Sequence, residues 1–463
     1  MSTKFKNICR LYMSVGATPS LNFIGDTVGD VAPHAMSEMR GILFATGNSP
    51  TTGPISLSDF RNQVLTKGTA LTQQTKILAS DGQAQDNFGY SVAISGDGTT
   101  AIVAALYEDT NATNAGTAYI FTGSGASWSQ QAKIQASDAQ QDDLFGTSVA
   151  ISSDGNTAIV GAWFEDTGSG TAGAAYIFTR SGATWTERAK IQASNLGFQD
   201  QFGASVAISG DGNTAIVGAI NEDTGASNAG SAYIFTWSGT SWSEQARIQP
   251  SVVLSFDRFG GSVATSSNGN IAVVGARGNN GAAYIFTRSG TSWSQRAKIQ
   301  PLDLEASDQF GWSIAISGDG TTVIVGANAE DTGGSSAGAA YIFTGSGASW
   351  SEQAKIQASD KQASDQFGYS VAISSDGNTA IVGSRYESTG GYATGAAYIF
   401  TRSGTTWSQI TKMQASNTLS GDQVGTSVSI SSDGTTAITG ASGEDTLGTN
   451  AGAAYILSPG YYI

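Results

Sequence analysis

Carboxylates are the only side chains that recur in this sequence with the regularity that chemistry would require. An aspartate stands two residues before a Phe-Gly pair, or once a Val-Gly pair, at seven places: Asp86, Asp143, Asp200, Asp257, Asp308, Asp365 and Asp422. A second acidic phrase, Glu-Asp-Thr, also recurs, as in Glu222-Asp223-Thr224. Carboxylates on one surface can bind cations, basic protein patches or polyhydroxylated ligands. A structural interpretation competes with binding, because a short carboxylate also caps the turn before Phe-Gly.

Other catalytic groups are scarce. The single histidine, His34, and the single cysteine, Cys9, both lie before the repeats. The repeats therefore cannot hold a zinc site or a nucleophile activated by histidine. Paired carboxylates could still hydrolyse glycosides, which leaves a carbohydrate-active enzyme as the third interpretation. Because the acids occur equally in most copies, whereas an active site breaks symmetry, we expect no enzyme and no catalytic residue.

The phrase around each aspartate belongs to a long repeat. The Phe of the Phe-Gly pair occurs six times, at successive steps of 57, 57, 57, 51 and 57 residues. A last step of 57 residues leads to the Val-Gly pair of the seventh copy. Each copy contains four short β-branched and aromatic runs, the first two separated by a turn such as Asp211-Gly212. The sequence thus predicts an all-β fold, a seven-bladed β-propeller of four-stranded blades.

The ends of the repeat predict how the ring closes. The last copy stops near Leu457 without its fourth strand, and Gln74–Ser80 reads like that missing strand. We expect 74–80 to pair with 453–457 in one blade, so that an N-terminal strand closes the propeller. The 51-residue step falls where Arg277-Gly278-Asn279-Asn280 replaces the acidic loop. This predicts an intact blade with a shortened loop and a notch in the acidic rim.

The repeat phrase Phe-Gly-x-Ser-Val-Ala…Val-Gly-Ala resembles the FG-GAP repeat of integrin-type propellers, over roughly residues 73–457. The resemblance implies a propeller, and in that family a hairpin with several Asp or Asn residues often binds Ca²⁺. Here the hairpin mostly reads Ser-Gly-Asp-Gly or Ser-Ser-Asp-Gly. One carboxylate cannot supply the roughly six to eight oxygens that Ca²⁺ takes. We therefore expect no cofactor and no metal ligand, and calcium is not supported by the hairpin loops.

The acids are predicted to gather on one face. In a four-stranded meander, the loops between the second and third strands share a face with the blade-to-blade crossovers. These segments carry 24 acidic residues against four basic ones, which are Arg258, Arg277, Lys361 and Arg385. We expect a face of net charge about −20, which would repel nucleic acid phosphates. The chain has no run of 18 apolar residues, so no membrane insertion is expected.

Aromatic residues divide into repeating and non-repeating sets. One Trp per copy, such as Trp185, is predicted to pack on an outer strand. The aromatics without a counterpart in other copies have no shared structural role, so they are better candidates for ligand contacts. The candidate binding residues are therefore the seven aspartates together with Tyr107, Trp163, Tyr386 and Tyr392, and Trp237 and Trp312 belong to the same non-repeating set.

Residues 1–66 do not repeat, and we assign them to an N-terminal segment, with the propeller at 67–463. The phrases Met36–Arg40 and Leu57–Arg61 both read Met/Leu-Ser-acid-Met/Phe-Arg. The second resembles short modules of marine virus virion proteins, especially phage tail and fibre proteins. A small helical cap that plugs the propeller is the structural alternative. We also predict no secretory signal, because the stretch from Leu11 to Gly16 is too short and too polar.

These observations favour a virion structural protein located in the virion. Residues 1–66 would anchor it to other virion proteins, and the propeller would project as a receptor-binding or decoration module. Its outward partner would be a host surface protein or a glycan. The alternative is a cellular surface or secreted adhesion protein with an FG-GAP propeller.

Overall fold

The computed structural model describes residues 66–166, 170–305 and 307–462, and these contain 28 strands in seven four-stranded sheets. Consecutive strands within a sheet pair antiparallel, as β-branched runs joined by Asp-Gly and Ser-Gly turns should. The predicted all-β propeller with four-stranded blades is confirmed. The predicted anchoring segment, residues 1–66, lies outside the described residues except for Thr66.

The first and second strands of the blades form the centre of the molecule. The first strands begin at the Phe-Gly pair in most blades and are β2 (Phe88–Ile94), β6 (Phe145–Ile151), β10 (Phe202–Ile208), β14 (Phe259–Thr265), β18 (Ser313–Ile316), β22 (Phe367–Ile373) and β26 (Val424–Ile430). The second strands are almost wholly buried and are β3 (Thr100–Ala105), β7 (Thr157–Ala162), β11 (Thr214–Ala219), β15 (Ile271–Ala276), β19 (Thr322–Ala327), β23 (Thr379–Ser384) and β27 (Ala437–Ala441).

The third and fourth strands complete each blade toward its outer edge. The third strands are β4 (Thr117–Ser124), β8 (Ala174–Ser181), β12 (Ser231–Trp237), β16 (Ala282–Ser289), β20 (Ala339–Ser346), β24 (Ala396–Ser403) and β28 (Ala453–Tyr462). The fourth strands are β5 (Ser127–Ile134), β9 (Thr184–Ile191), β13 (Trp242–Ile248), β17 (Ser292–Ile299), β21 (Ser349–Ile356) and β25 (Thr406–Met413), and β1 (Thr66–Ile77) fills this place in the seventh blade.

The ring closes as the sequence predicts. In the seventh blade the strand order is β1-β28-β27-β26, so the N-terminal strand pairs with the last one. The first strands of neighbouring blades contact each other all the way round, and β26 contacts β2. A bridge between Phe88 and Gly452 joins the first and last blades. Residues 73–457 accordingly form one compact unit.

The core lies between successive blades and is centred on the Phe-Gly pair. The ring of Phe202 packs edge-on against Tyr233 and Phe235, with centroids 5.5 Å and 6.0 Å away. The same cluster includes Ile177 and Ile191 of the preceding blade. Trp242 packs against this cluster, and the equivalent Trp of the other blades does the same in its own, which confirms the predicted packing role.

The fourth blade keeps all four strands, so the prediction for the 51-residue step is confirmed. The loop between β15 and β16 spans only 277–281, whereas the equivalent loop of the third blade spans 220–230. Gly230 forms a parallel bridge with Phe259, and among the described residues Gly281 forms none with Phe310. As a result β18 begins only at Ser313, and the first strand of the fifth blade is short.

Candidate functional site

The seven aspartates before the first strands are buried in the turns that lead into them. The Asp200 carboxylate accepts a hydrogen bond of 2.7 Å from the backbone N–H of Gly197, three residues earlier. The same bond forms at all seven positions, which confirms the capping interpretation. Burial raises the pKa to about 6 at Asp86, Asp143, Asp200 and Asp365 despite these bonds.

The recurring glutamate forms a second repeated network. Glu165 is buried, and Lys190, on the fourth strand of the same blade, donates to it at 2.8 Å and to Asp138 at 2.7 Å. The Lys190 ammonium also lies over the ring of Tyr176, whose hydroxyl donates to Asp138. Equivalent ion pairs join Lys76 to Glu444, Lys133 to Glu108, Arg247 to Glu222, Lys355 to Glu330 and Lys412 to Glu387.

These ion pairs correct the charge that the sequence predicts for this face. The expected value of −20 was wrong, because it left out the cations that the fourth strands send to the buried glutamates. Including these six cations changes the net charge to −14. The face remains acidic because aspartates of the second-to-third loops, such as Asp223 and Asp331, stay exposed. We call this surface the acidic face.

The hairpin aspartates do not fit a calcium site. The Asp154 carboxylate accepts hydrogen bonds from the Ser152 hydroxyl at 2.6 Å and from the Asn156 backbone N–H at 3.0 Å. Burial raises its pKa, but these bonds outweigh burial and hold the pKa below the ordinary value. Six of the seven hairpins therefore offer one carboxylate already bound within its own turn, and the fourth has Asn268 in its place. Among the described residues, no group of three acidic, His or Cys side chains is arranged to hold a metal ion.

The fourth blade interrupts the acidic face with apolar side chains. Val252 takes the place that Asp138 has in the second blade, and Leu254 and Phe256 follow it in the same crossover. All three are more than half exposed, as is Leu302 in the next crossover. The short loop 277–281 lies between these crossovers, bonding to the first through Asn279 and Asp257. We call Val252, Leu254, Phe256 and Leu302 the apolar rim patch.

Two positions in each repeat differ from copy to copy, although the residues around them do not. One is the residue after Phe-Gly and the other is the residue after the second strand. The first position holds Tyr90, Thr147, Ala204, Gly261, Trp312, Tyr369 and Thr426 in chain order. The second holds Leu106, Trp163, Ile220, Arg277, Asn328, Arg385 and Ser442. The first position lies near the start of the first strand, and the second position follows the second strand. Side chains at these two positions therefore line the propeller axis on the acidic face.

Four of these side chains form a continuous stack across the fourth, fifth and sixth blades. The Arg277 guanidinium lies 4.2 Å from the ring centroid of Trp312, and the Trp312 and Tyr369 centroids are 5.5 Å apart. The Arg385 guanidinium lies 5.0 Å from the Tyr369 centroid and donates to the Tyr369 hydroxyl at 2.7 Å. We call Arg277, Trp312, Tyr369 and Arg385 the axial cluster.

Tyr90 places this cluster at the axis. It belongs to the first blade, yet its hydroxyl senses the charges of both Arg277 and Arg385. The pKa of Tyr90 is raised to about 12, chiefly by burial and also by Tyr369 and Tyr107, whereas the two arginines lower it. Tyr90 and Tyr369 occupy the same position of the innermost strands β2 and β22.

A cleft of about 390 Å³ adjoins the cluster at Arg385. Its remaining lining residues are neutral, being one tyrosine, five amides, Ser442 and Gly443, and none is acidic. Gln423 connects the cleft to the cluster, because its side-chain oxygen accepts a 2.9 Å hydrogen bond from Nε of Arg385. The full lining consists of Gln85, Asn87, Tyr107, Asn114, Arg385, Gln423, Ser442, Gly443 and Asn450.

The candidate aromatics are not all at this place. Tyr107 lines the cleft, Tyr386 stacks on Arg385 at 5.0 Å, and Trp163 occupies one of the variable positions after a second strand. Tyr392 is 81% exposed and lies in the long loop of the sixth blade, away from the variable positions. The sequence did not reveal Arg277 and Arg385 as members of this cluster, since in the loops they stood out only as charges. Aligning the seven copies against one another would have found them.

Comparison with known families agrees with the fold. The family model described as FG-GAP repeat matches residues 71–121, 128–178, 185–235, 242–286, 293–343, 350–400 and 407–457. Each match begins in a fourth strand and ends in the third strand of the next blade, so the family unit straddles two blades. No curated protein matches the chain significantly. The part of the chain that the structure describes contains no helix that could cross a membrane.

Proposed function

The chain belongs to the FG-GAP repeat family, and we propose that it is a virion structural protein whose propeller is a receptor-binding module. FG-GAP propellers are typically protein-interaction or adhesion modules. Residues 1–66 would anchor the chain to other virion proteins, and the acidic face would point outward to a host surface protein or glycan. The proposed location is the virion.

The observation that carries the binding role is the break in repeat symmetry on one face. Every blade needs its Phe-Gly pair and its capped turn to fold, so those residues say nothing about a ligand. The axial cluster, the neutral cleft and the apolar rim patch depart from the repeat, and all three lie on the same face. Exposed apolar side chains grouped within a polar surface are typical of interaction sites. A binding role therefore explains departures that folding does not require.

The virion part of the proposal rests on the N-terminal segment. The family match starts only at residue 71, so residues 1–66 lie outside the repeats. Their resemblance to virion modules favours an anchoring role. An FG-GAP protein that acts in cellular or secreted adhesion is the alternative, and it would use the same face of the propeller.

Binding is also favoured over catalysis. A carboxylate with a raised pKa can serve as a general acid, and Asp86, Asp143, Asp200 and Asp365 have pKa values of about 6. Each of them is fixed by the same turn in a different blade. A feature that four blades share does not define one active site, so we propose that the protein has no enzymatic activity and needs no cofactor.

The test compares incorporation of two variants into purified particles. A chain without residues 1–66 should fold and stay soluble but should not be found in particles, because it lacks the anchor. The full chain carrying Arg277→Met and Arg385→Met should be incorporated normally, since only its outward face has changed. Quantitative mass spectrometry of the particles measures both. Absence of the unmodified protein from particles, or normal incorporation of the deletion variant, would overturn the proposal.

A further inference from the structure

We propose that the axial cluster binds the carboxylate of an acidic saccharide, whose hydroxyl groups are held by the adjoining cleft. The inference deepens the proposed function and rests on it for the identity of this face as the ligand-binding surface. It names a ligand class, a sugar that carries one carboxylate. Polar groups of the cluster that have no partner among the described residues support it.

Arg277 is the clearest of these groups. It stacks on Trp312 and forms no hydrogen bond or ion pair with any described residue, and its Nε is buried without a partner. Burial lowers the pKa of Arg277, and the nearby positive charge of Arg258 lowers it further. A partly buried cation beside a second cation is unfavourable unless an anion compensates it. Arg277 is therefore placed to receive an anion from outside the chain.

Arg385 supplies a second, pre-oriented guanidinium. Nε donates to Gln423, Nη1 donates to the Tyr369 hydroxyl, and the plane is stacked against two tyrosines. These contacts fix the side chain, leave Nη2 unused, and include no carboxylate from the described part of the chain. A fixed guanidinium with free N–H groups is well suited to a carboxylate, because both groups are planar. Arg385 differs in this respect from Arg247, which pairs with Glu222.

Two further variable positions hold a buried polar atom without a partner among the described residues. Nε1 of Trp163 is a donor without an acceptor, and Oδ1 of Asn328 is an acceptor without a donor within the described structure. Asn328 is only 3% exposed, and both residues occupy the same position of the repeat as Arg277. The variable positions after the second strands of the second, fourth and fifth blades therefore each hold a buried polar atom without a partner among the described residues.

The cleft beside Arg385 agrees with a saccharide. Its volume of about 390 Å³ lies at the lower end of the range for small-ligand sites. Amide side chains such as Gln423 both donate and accept, as sugar hydroxyl groups do, and Tyr107 supplies an aromatic wall. The surrounding acidic face repels a strongly charged polymer but tolerates one carboxylate at its positive centre. These features favour an acidic sugar over a nucleic acid or a heavily sulfated chain.

The test uses calorimetric titration of the full chain with D-glucuronic acid and N-acetylneuraminic acid. The methyl ester of each sugar is the matched neutral probe. We expect at least one acid to bind, and its ester to bind roughly 10- to 100-fold more weakly, the range for losing a hydrogen bond to a charged group. Equal affinity for acid and ester, or no binding of either acid, would overturn the inference.

Variants locate the binding to the cluster. Arg277→Met and Arg385→Met should each weaken binding of the acid by roughly 10-fold or more. Arg385→Lys keeps the charge without the planar fork and should give an intermediate loss. Arg288→Met is the matched control, because Arg288 lies near the end of the third strand β16 and its side chain donates only to Gly290 in the following turn. An unchanged affinity in both cluster variants would overturn the inference.

Saccharide binding and the virion role can be refuted independently of each other. Particle incorporation depends on residues 1–66, whereas saccharide binding depends on the axial cluster. A protein found in particles that binds no acidic sugar would retain the virion role and refute this ligand. A protein that binds the sugar through Arg277 and Arg385 but is absent from particles would support the ligand and overturn the virion role.

Discussion

The repeated glutamate networks and the axial cluster both place cations beside aromatic rings, but only the networks supply a carboxylate to each cation. In the networks, each cation meets a buried carboxylate, as Lys190 meets Glu165. In the axial cluster, Arg277 and Arg385 meet aromatic rings and no carboxylate among the described residues. The networks repeat in six blades, whereas the cluster occurs once. Repetition therefore marks what each blade needs in order to fold, and departure from it marks what is available for binding.

Substitutions at two adjacent glycines should give the largest difference in stability between a repeated position and a variable one. Gly260 belongs to the repeated Phe-Gly pair, has φ +88°, and a Cβ there would clash with the backbone oxygen of Ser231. Gly261 occupies the variable position, where Ala204 stands in the preceding copy. We expect Gly260→Ala to lower the free energy of unfolding by roughly 3–5 kcal/mol, and Gly261→Ala by less than about 1 kcal/mol.

Urea unfolding followed by tryptophan fluorescence measures both glycine variants. The closest atom to a Cβ at Gly261 is the side-chain Cδ1 of Ile220, which can move, whereas the backbone at Gly260 cannot. Similar losses in the two variants would show that the variable position is under the same structural constraint as the repeated one.

A pair of charge deletions should give the next largest effect. Glu165→Gln removes the buried carboxylate that pairs with Lys190, which keeps only Asp138, and should cost about 2–4 kcal/mol. Arg277→Met removes a cation that has no partner and should change the free energy of unfolding by less than about 1 kcal/mol, or raise it. Chemical denaturation of the two variants provides the comparison. A large loss in Arg277→Met would mean that the axial cluster stabilises the fold.

The sequence predicts the features that every blade shares. A fixed period and Asp-Gly turns reflect contacts within one copy or between neighbouring copies, and the displaced strand 74–80 is recognisable because it repeats a strand that the last copy lacks. The number of blades, their strands, the closure and the shortened loop 277–281 therefore follow from the sequence. The capping of Asp200 is equally local, since its partner Gly197 is three residues away.

The rest of the site depends on contacts between residues that are distant in the chain, some within one blade and some between blades. Lys190 reaches Glu165 across 25 residues of chain, so the charge of the acidic face cannot be read from its loops alone. Tyr90 and Arg277 lie in blades on opposite sides of the ring, and only closure brings them near each other. The shortening of β18 likewise follows from a bridge lost to the previous blade. Relations between blades are invisible in a repeat that is considered one copy at a time.

The smallest expected effect concerns the buried turn aspartates as pH changes. Because burial raises the folded pKa of Asp200 to about 6, above its ordinary value of 3.8, the folded chain binds more protons than the unfolded chain between these values. This group therefore destabilises the fold at pH 7.5, and stability should rise as pH falls through about 6. Asp138 acts in the opposite direction. Burial raises its pKa, but the bonds from Lys190 and Tyr176 outweigh burial and lower it, so its contribution is lost when pH falls below its ordinary range.

The propeller should consequently be most stable between about pH 4 and 6. Asp200→Asn keeps an acceptor for the Gly197 N–H and removes the buried charge, so it should stabilise the fold by about 1 kcal/mol at pH 7.5 and by roughly half as much at pH 5. Asp200→Ala is the matched control, because it removes the same charge together with the cap, and it should be about 1 kcal/mol less stable than Asp200→Asn at both pH values. Urea titrations at the two pH values measure these differences. If Asp200→Asn were destabilising at pH 7.5, the carboxylate would be needed as a charge, and the capping turns would have to be regarded as binding sites after all.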